Sequence, residues 1–330
     1  IHSYKVTALN EGGESFDSEI LSVGRAGTDR PVVLVVNGFD RVSGPAALKD
    51  TRLEGFAWFW DQGVPDRYDM SFTGEQFAFK KKAKWQSDDR PGLGASYADY
   101  ETRVIAGNTF DFPYIHGRAI LKAGYTFVSC SDEALWSGGV PPENYAAVDV
   151  ILGEEKATPA PRYMGKDSAE VVYFRALPKA FQDVLRGYLQ KGGRLLISGA
   201  YLGSDLYQTG HEEDMRFAEE WLRFKWVTDH AVRGGAVRSV PDRMGSAYSF
   251  QFNTRLNKDI YAVESPDAIE GVHGGQTAWR YLENGFGAGV LYRGAYRLAA
   301  FGFPLETVVP AARLDRLMQN VLTFLFNDNE

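Results

Sequence analysis

Three groups of side chains have the types and spacing to do chemistry. The first is Gly199-Ala200-Tyr201-Leu202-Gly203, where the apolar run Leu195-Leu196-Ile197 ends in a Gly-x-Tyr-x-Gly turn. A strand entering a sharp elbow needs glycines around the central residue, for strained dihedrals and for close approach of the next helix. Such elbows carry a serine or cysteine nucleophile, and here the slot holds Tyr201. The second group is Asp111 with His116, a carboxylate and an imidazole at the expected start of a helix. A general base oriented by an acid has that composition, and so does a capped helix with a fixed loop. The third group trails expected strands: Asp40 with Arg41, Ser131 with Asp132, Glu154, and Ser204 with Asp205. Carboxylates converging there would suit calcium or the paired acids of glycoside chemistry. Glu306, in Phe301-Gly302-Phe303-Pro304-Leu305-Glu306, adds an acid ahead of the last helix.

Other chemistries are disfavoured. His211, His230 and His273 lack tight ligand spacing, so no metal site is expected. The acids of His211-Glu212-Glu213-Asp214 suit the first turn of a helix, where the macrodipole favours them. Cys130 is the single cysteine, which excludes an internal disulfide framework and reads as a buried strand residue. No cofactor is expected. A formal net charge of −7 argues against nucleic acid as a partner, because phosphate binding needs a basic footprint. The run Lys80-Lys81-Lys82-Ala83-Lys84, followed by Asp88-Asp89, reads as a solvated face. No apolar stretch approaches the roughly 18–20 residues that cross a bilayer.

The elements that must position these residues follow from periodicity. Pro31–Val36, Thr126–Cys130, Val148–Leu152 and Arg194–Ser198 are near-continuous apolar runs, the pattern of strands buried on both faces. Helical segments are expected at Tyr114–Ala123, Leu177–Gln190 and His211–Arg223. This alternation predicts an α/β fold, a doubly wound and mainly parallel sheet whose ligands bind beyond the strands' carboxyl ends. Residues 51–112 hold Trp58, Trp60 and Trp85 with little periodic signal, and read as a long aromatic-rich insertion over those ends. Residues 230–303 read as an antiparallel extension, with strands at 231–240, 247–252, 287–292 and 296–301. Leu314, Leu317, Met318, Val321, Leu322 and Leu325 mark an amphipathic closing helix over 311–326.

Two resemblances add to this reading. Tyr4, Val6, Ala8, Asn10, Gly13 and Ser15 are spaced as in the last two strands of a fibronectin type III domain. This implies a remnant over 1–27, a second unit over 28–330, and further domains in a longer parent chain. The elbow and Phe301–Glu306 together resemble the class I glutamine amidotransferase-like fold, which uses Gly-x-Cys-x-Gly and a later Phe-His-Pro-Glu-like segment. Against that pattern the acid survives as Glu306, the cysteine position is Tyr201, and the histidine position falls nearest Phe303. Thiolate attack needs a low-pKa cysteine beside a base, so the resemblance implies a degenerate triad and a non-glutaminase domain. The combination also resembles secreted bacterial proteins loosely labelled xanthan lyase. It implies an extracellular, cell-surface or periplasmic location and a polysaccharide or cell-wall glycan partner. The expected function is that of an accessory, non-glutaminase domain of a secreted multidomain protein, acting on or binding glycans. The alternatives are a glycan hydrolase or lyase using His116 or strand-end carboxylates, and a structural spacer.

Overall fold

The computed structural model describes residues 1–6, 9–11, 13–14, 20–39, 47–49, 54–56, 112–155, 175–241, 247–255, 260–263 and 265–327. At the amino end β1 (His2–Tyr4) and β4 (Leu21–Val23) form an antiparallel pair around a smaller one, β2 (Leu9–Asn10) with β3 (Gly13–Glu14). Then come β5 (Val32–Asn37), the short antiparallel pair β6 (Ala47–Lys49) and β7 (Glu54–Phe56), and α1 (Phe112–Lys122). They are followed by β8 (Thr126–Ser131), α2 (Asp132–Trp136), β9 (Ala147–Gly153), α3 (Lys179–Gln190) and β10 (Arg194–Gly199). The elbow leads into α4 (Ser204–Tyr207), α5 (Glu212–Glu220) and β11 (Phe224–Thr228). The rest comprises β12 (Ala236–Ser239), β13 (Ser249–Phe252), β14 (Ala268–Gly271), β15 (Gln276–Tyr281), β16 (Gly287–Arg293), β17 (Arg297–Phe301), β18 (Val308–Val309) and α6 (Ala311–Phe326).

The fold is α/β, built on a mixed sheet of ten strands in the order β18-β13-β12-β15-β16-β17-β10-β9-β5-β8. The expectation of a mainly parallel sheet is corrected here. Four neighbouring pairings, from β17 through β10, β9 and β5 to β8, are parallel, and the other five are antiparallel. Residues 297–301, placed by sequence in the antiparallel extension, form the pivot, with β17 parallel to β10 and antiparallel to β16. The reason is connection length. Short turns return β15 into β16 and β16 into β17, whereas each parallel neighbour needs a crossover through a helix.

Alternation along the strands divides the core between the sheet's two faces. Val33, Val35 and Ile151 join Ala119 and Ile120 of α1 and Leu317 and Val321 of α6. Leu34, Val36, Val148 and Val150 join Phe181 and Leu185 of α3 and Phe217 of α5. Each large apolar side chain among them contributes about 1.5–3 kcal/mol relative to exposure. Helix α1 lies close on β8 because residue 117 is glycine: a Cβ there would sit 2.0 Å from the Phe127 ring. The amino-terminal strands dock on the β8 edge, where Gly24 and Phe127 exchange backbone hydrogen bonds of 3.0 and 2.9 Å.

Register fixes where the strands end. Asn37 lies opposite both Ser131 and Ile151, Gly199 opposite Gly153, and Ser198 opposite Phe301. The carboxyl ends of five parallel strands therefore align along one edge, the edge at which α/β sheets take ligands. Among the described residues no helix is long and apolar enough to cross a membrane.

Candidate functional site

At this edge a buried polar cluster sits on the α1 and α6 face. All seven residues of β9 are buried, yet its third is Asp149. A carboxylate there requires a partner, because an unpaired buried charge is very costly. Helix α1 supplies it: His116 Nδ1 lies 2.8 Å from Asp149 Oδ2. On the other side of the ring, His116 Nε2 lies 3.4 Å from Oε2 of Glu306, in the single-turn 3-10 helix Leu305–Thr307. Tyr261 completes the cluster, its hydroxyl donating to Glu306 Oε1 at 2.6 Å. The Asn253 side-chain amide steadies the Tyr261 segment by donating to the carbonyls of Ile260 and Tyr261, at 3.3 and 2.7 Å.

Tyr261 also meets both roots of the segment between β5 and α1. Phe39 and Phe112 stack with centroids 5.3 Å apart, and each meets the Tyr261 ring edge-on at 5.5 Å. Phe39 in turn covers Gly153, whose φ is +51° and where a Cβ would fall 2.0 Å from the Phe39 ring. Glycine is thus required there by both conformation and space.

The electrostatics decide what this cluster can do. Full burial opposes a charge on His116. The charge and hydrogen bond of Asp149, followed by those of Glu306, outweigh it and raise the imidazole from 6.5 to about 10. The shift favours the protonated ring, and a protonated imidazole has no lone pair with which to take a proton. A general base at His116 needs the neutral ring. His116 lies in the second turn of α1, fully buried, and its orienting acid is Asp149. Asp111 lies outside the described residues.

The elbow differs from expectation in a related way. Tyr201 is 8% exposed, within the α1 and α6 core that also holds Phe303. Gly203 has φ −88°, and neither Gly199 nor Tyr201 has a positive φ. The glycines therefore serve close approach alone, not strain: a Cβ would lie 2.7 Å from Leu152 at Gly199 and 2.8 Å from Trp226 at Gly203. Phe303, at the histidine-like position, stacks on Phe252 at 4.8 Å and is fully buried.

Ser204 and Asp205 do not join the His116 cluster. Asp205 accepts from the backbone N–H groups of Ala176 and Leu177, each at 3.3 Å, and pairs with Arg175. Ala176 and Leu177 belong to the core on the opposite face. Ser204 Oγ donates to Asp267 Oδ2 at 3.1 Å, and the N–H groups of Gly203 and Ser204 donate to the same oxygen at 2.6 and 2.7 Å. Trp226 Nε1 donates to Asp267 Oδ1 at 3.0 Å. Burial nevertheless dominates these four donors and pushes the Asp267 carboxyl up to about 8.

Of the remaining strand-end residues, Ser131 caps α2 by accepting from Ala134 N–H, and Asp132 and Glu154 are buried. A Cβ on Gly38 would stand 3.8 Å from Asp132 Cβ, so β5 and β8 bring their end loops together. Asp40 and Arg41 lie outside the described residues. Among the described residues no group of three or more His, Cys, Asp or Glu could hold a metal ion. Sequence reasoning missed Asp149, Tyr261 and Asp267. Only Asp149 carried a signal, as a charge inside an otherwise apolar strand.

No family model matches the chain, and no curated protein matches it. Among solved structures it is similar to an exo-beta-1,4-mannosidase, Op5Man5, from Opitutaceae bacterium strain TAV5, with TM-score 0.37 and 13% identity over 63% of this chain. The chain spans only 29% of that mannosidase. It is similar to a proposed GMP synthase subunit from Thermoplasma acidophilum, with TM-score 0.37 and 9% identity over 63% of this chain and 86% of that one. It is also similar to the mmIFT52 N-terminal domain, with TM-score 0.39 and 12% identity over 64% of this chain and 90% of that one.

Proposed function

We propose that this chain is a non-glutaminase, glycan-binding domain of the amidotransferase-like kind. In this reading it works beside other domains of a parent protein at the cell surface, outside the cell or in the periplasm. The observation that carries the reading is the setting of His116: the imidazole is fully buried and held between Asp149 and Glu306, with its charged form favoured. With Tyr201 at the nucleophile position and Phe303 in an aromatic core, this cluster has no base–nucleophile pair to offer. Binding is favoured over inert spacing by the segment between Phe39 and Phe112. It is rich in aromatics, and both its roots are pinned to Tyr261 beside the strand ends. Aromatic rings give sugars an apolar platform with a polar rim.

The test is a panel of polysaccharides and cell-wall glycans, scored for both binding and product, with glutamine hydrolysis measured alongside. Saturable binding with no product and no ammonia supports the reading; absence of binding overturns it. One observation favours a second reading, a glycan hydrolase or lyase: Asp132, the first residue of α2, and Glu154, just after β9, are buried acids that follow strand ends. Product formation that disappears in Asp132→Ala while binding persists would establish that reading instead.

A further inference from the structure

Three arginines stand side by side at the amino edge of the parallel strands, the opposite edge of the sheet from the strand-end loops. Arg297, at the start of β17, is paired in register with Arg293 at the end of β16 and with Arg194 at the start of β10. Neighbouring strands run about 4.8 Å apart, so the three side chains leave the sheet in one row. They leave it on one face: Leu291, Ala299 and Leu196, each two residues along its strand, all join the α1 and α6 core. Like charges directly opposite one another across strands are destabilising. In a chain of net charge −7, such a row is not a matter of composition.

Ring contacts fix the outer two. The Arg194 guanidinium lies 5.4 Å from the Phe326 ring centre, and that of Arg293 lies 5.1 Å from that of Phe324. Phe324 and Phe326 flank the buried Leu325 in the last turn of α6, so the two arginines reach the helix on either side of it. A ring face positions a guanidinium and does not neutralise it. The negative end of the helix dipole falls here too, and is equivalent to about half an elementary charge. Between them, Arg297 Nη1 donates to the Gly294 carbonyl at 3.3 Å, while its buried Nε has no hydrogen-bond partner among the described residues. All three side chains are half-buried, beside exposed turns at Lys191-Gly192 and Gly294-Ala295. Planar, permanently charged forks held in a row at the edge of solvent suit a ligand with several acceptor oxygens.

We propose that this row binds a tetrahedral oxyanion, a phosphate or sulfate group, centred on Arg297 with Arg293 and Arg194 beside it. The site is separate from the strand-end loops and does not depend on the glycan-binding reading. It is tested by calorimetric titration and thermal unfolding of the full chain with inorganic phosphate, inorganic sulfate and chloride at equal ionic strength. The proteins compared are the wild type, Arg297→Gln and Arg297→Lys. The expected result is saturable binding of phosphate, sulfate or both, with a matching rise in Tm. Affinity should weaken about tenfold or more in Arg297→Gln. Arg297→Lys should fall between the two, because it keeps the charge and loses the fork. Which of the two anions binds tells a phosphate ligand from a sulfate one. Phosphate and sulfate acting no more strongly than chloride would mean that the row is met within the fold, and overturns the site. Affinity unchanged in Arg297→Gln overturns it as well. Neither result alters the expectation for glycans.

Discussion

Raising the pH perturbs the His116 cluster without altering a single atom of its surroundings. In the unfolded chain the imidazole loses its proton near 6.5, and in the folded chain near 10. Because the folded value is the higher one, the stabilisation is complete below pH 6.5 and is lost as pH rises through 10. Each unit in that interval removes about 1.4 kcal/mol, and the full interval about 5 kcal/mol. Whole domains are stable by only about 5–15 kcal/mol, so alkaline pH should remove a large share of the fold's margin. Asp267 also contributes: raised from 3.8 to about 8, it lowers stability across that range and adds no further slope above it. The window from about pH 8 to about pH 9.5 therefore isolates His116, and urea unfolding should lose about 2 kcal/mol across it. In His116→Gln the slope should be shallower by that amount, because lysines and tyrosines titrating in both proteins cancel in the difference. The variant should also start about 3–5 kcal/mol lower at neutral pH, since two buried carboxylates lose their cation. Equal slopes in wild type and variant, or a wild type flat across the window, would refute an imidazolium at this position.

Three further outcomes are expected. Tyr261→Phe removes the hydroxyl that donates to Glu306 and should cost about 1–3 kcal/mol in denaturant unfolding. Asp267→Asn cannot ionise, so between pH 4 and 6, below the His116 interval, its thermal midpoint should fall less steeply than that of the wild type, whose Asp267 is ionised in the unfolded chain but still protonated in the fold. Gly117→Val places atoms where the Phe127 ring already lies and should lower stability by about 1–3 kcal/mol, read as a drop in Tm.

What could be read from the sequence divides along physical lines. Val32–Asn37 and Ala147–Gly153 announced themselves because strands buried on both faces must be apolar throughout. The closing helix Ala311–Phe326 was legible from its 3.6-residue periodicity. The direction of Arg297–Phe301 was not, because a five-residue buried run looks the same whether its neighbour is parallel or antiparallel. His116 was picked out by residue type, but its expected partner was the neighbour in sequence, Asp111. Its actual partner, Asp149, stands 33 residues away across a helix–sheet interface. Tyr261 and Asp267 act from irregular segments, where no periodicity marks the direction of a side chain. Their roles exist only once the antiparallel half has folded against the elbow.

The account turns on the protonation of one imidazole. His116 is one of five histidines, so its ring nitrogens can be assigned by comparing ¹⁵N spectra of the wild type and His116→Gln. Near pH 8, well above the ordinary histidine value, both His116 nitrogens should carry the shifts of a protonated imidazolium. Both should move only as pH nears about 10. A neutral ring near pH 8, with one protonated and one bare nitrogen, would contradict the account: the bare nitrogen beside Glu306 would be a base poised at the strand ends.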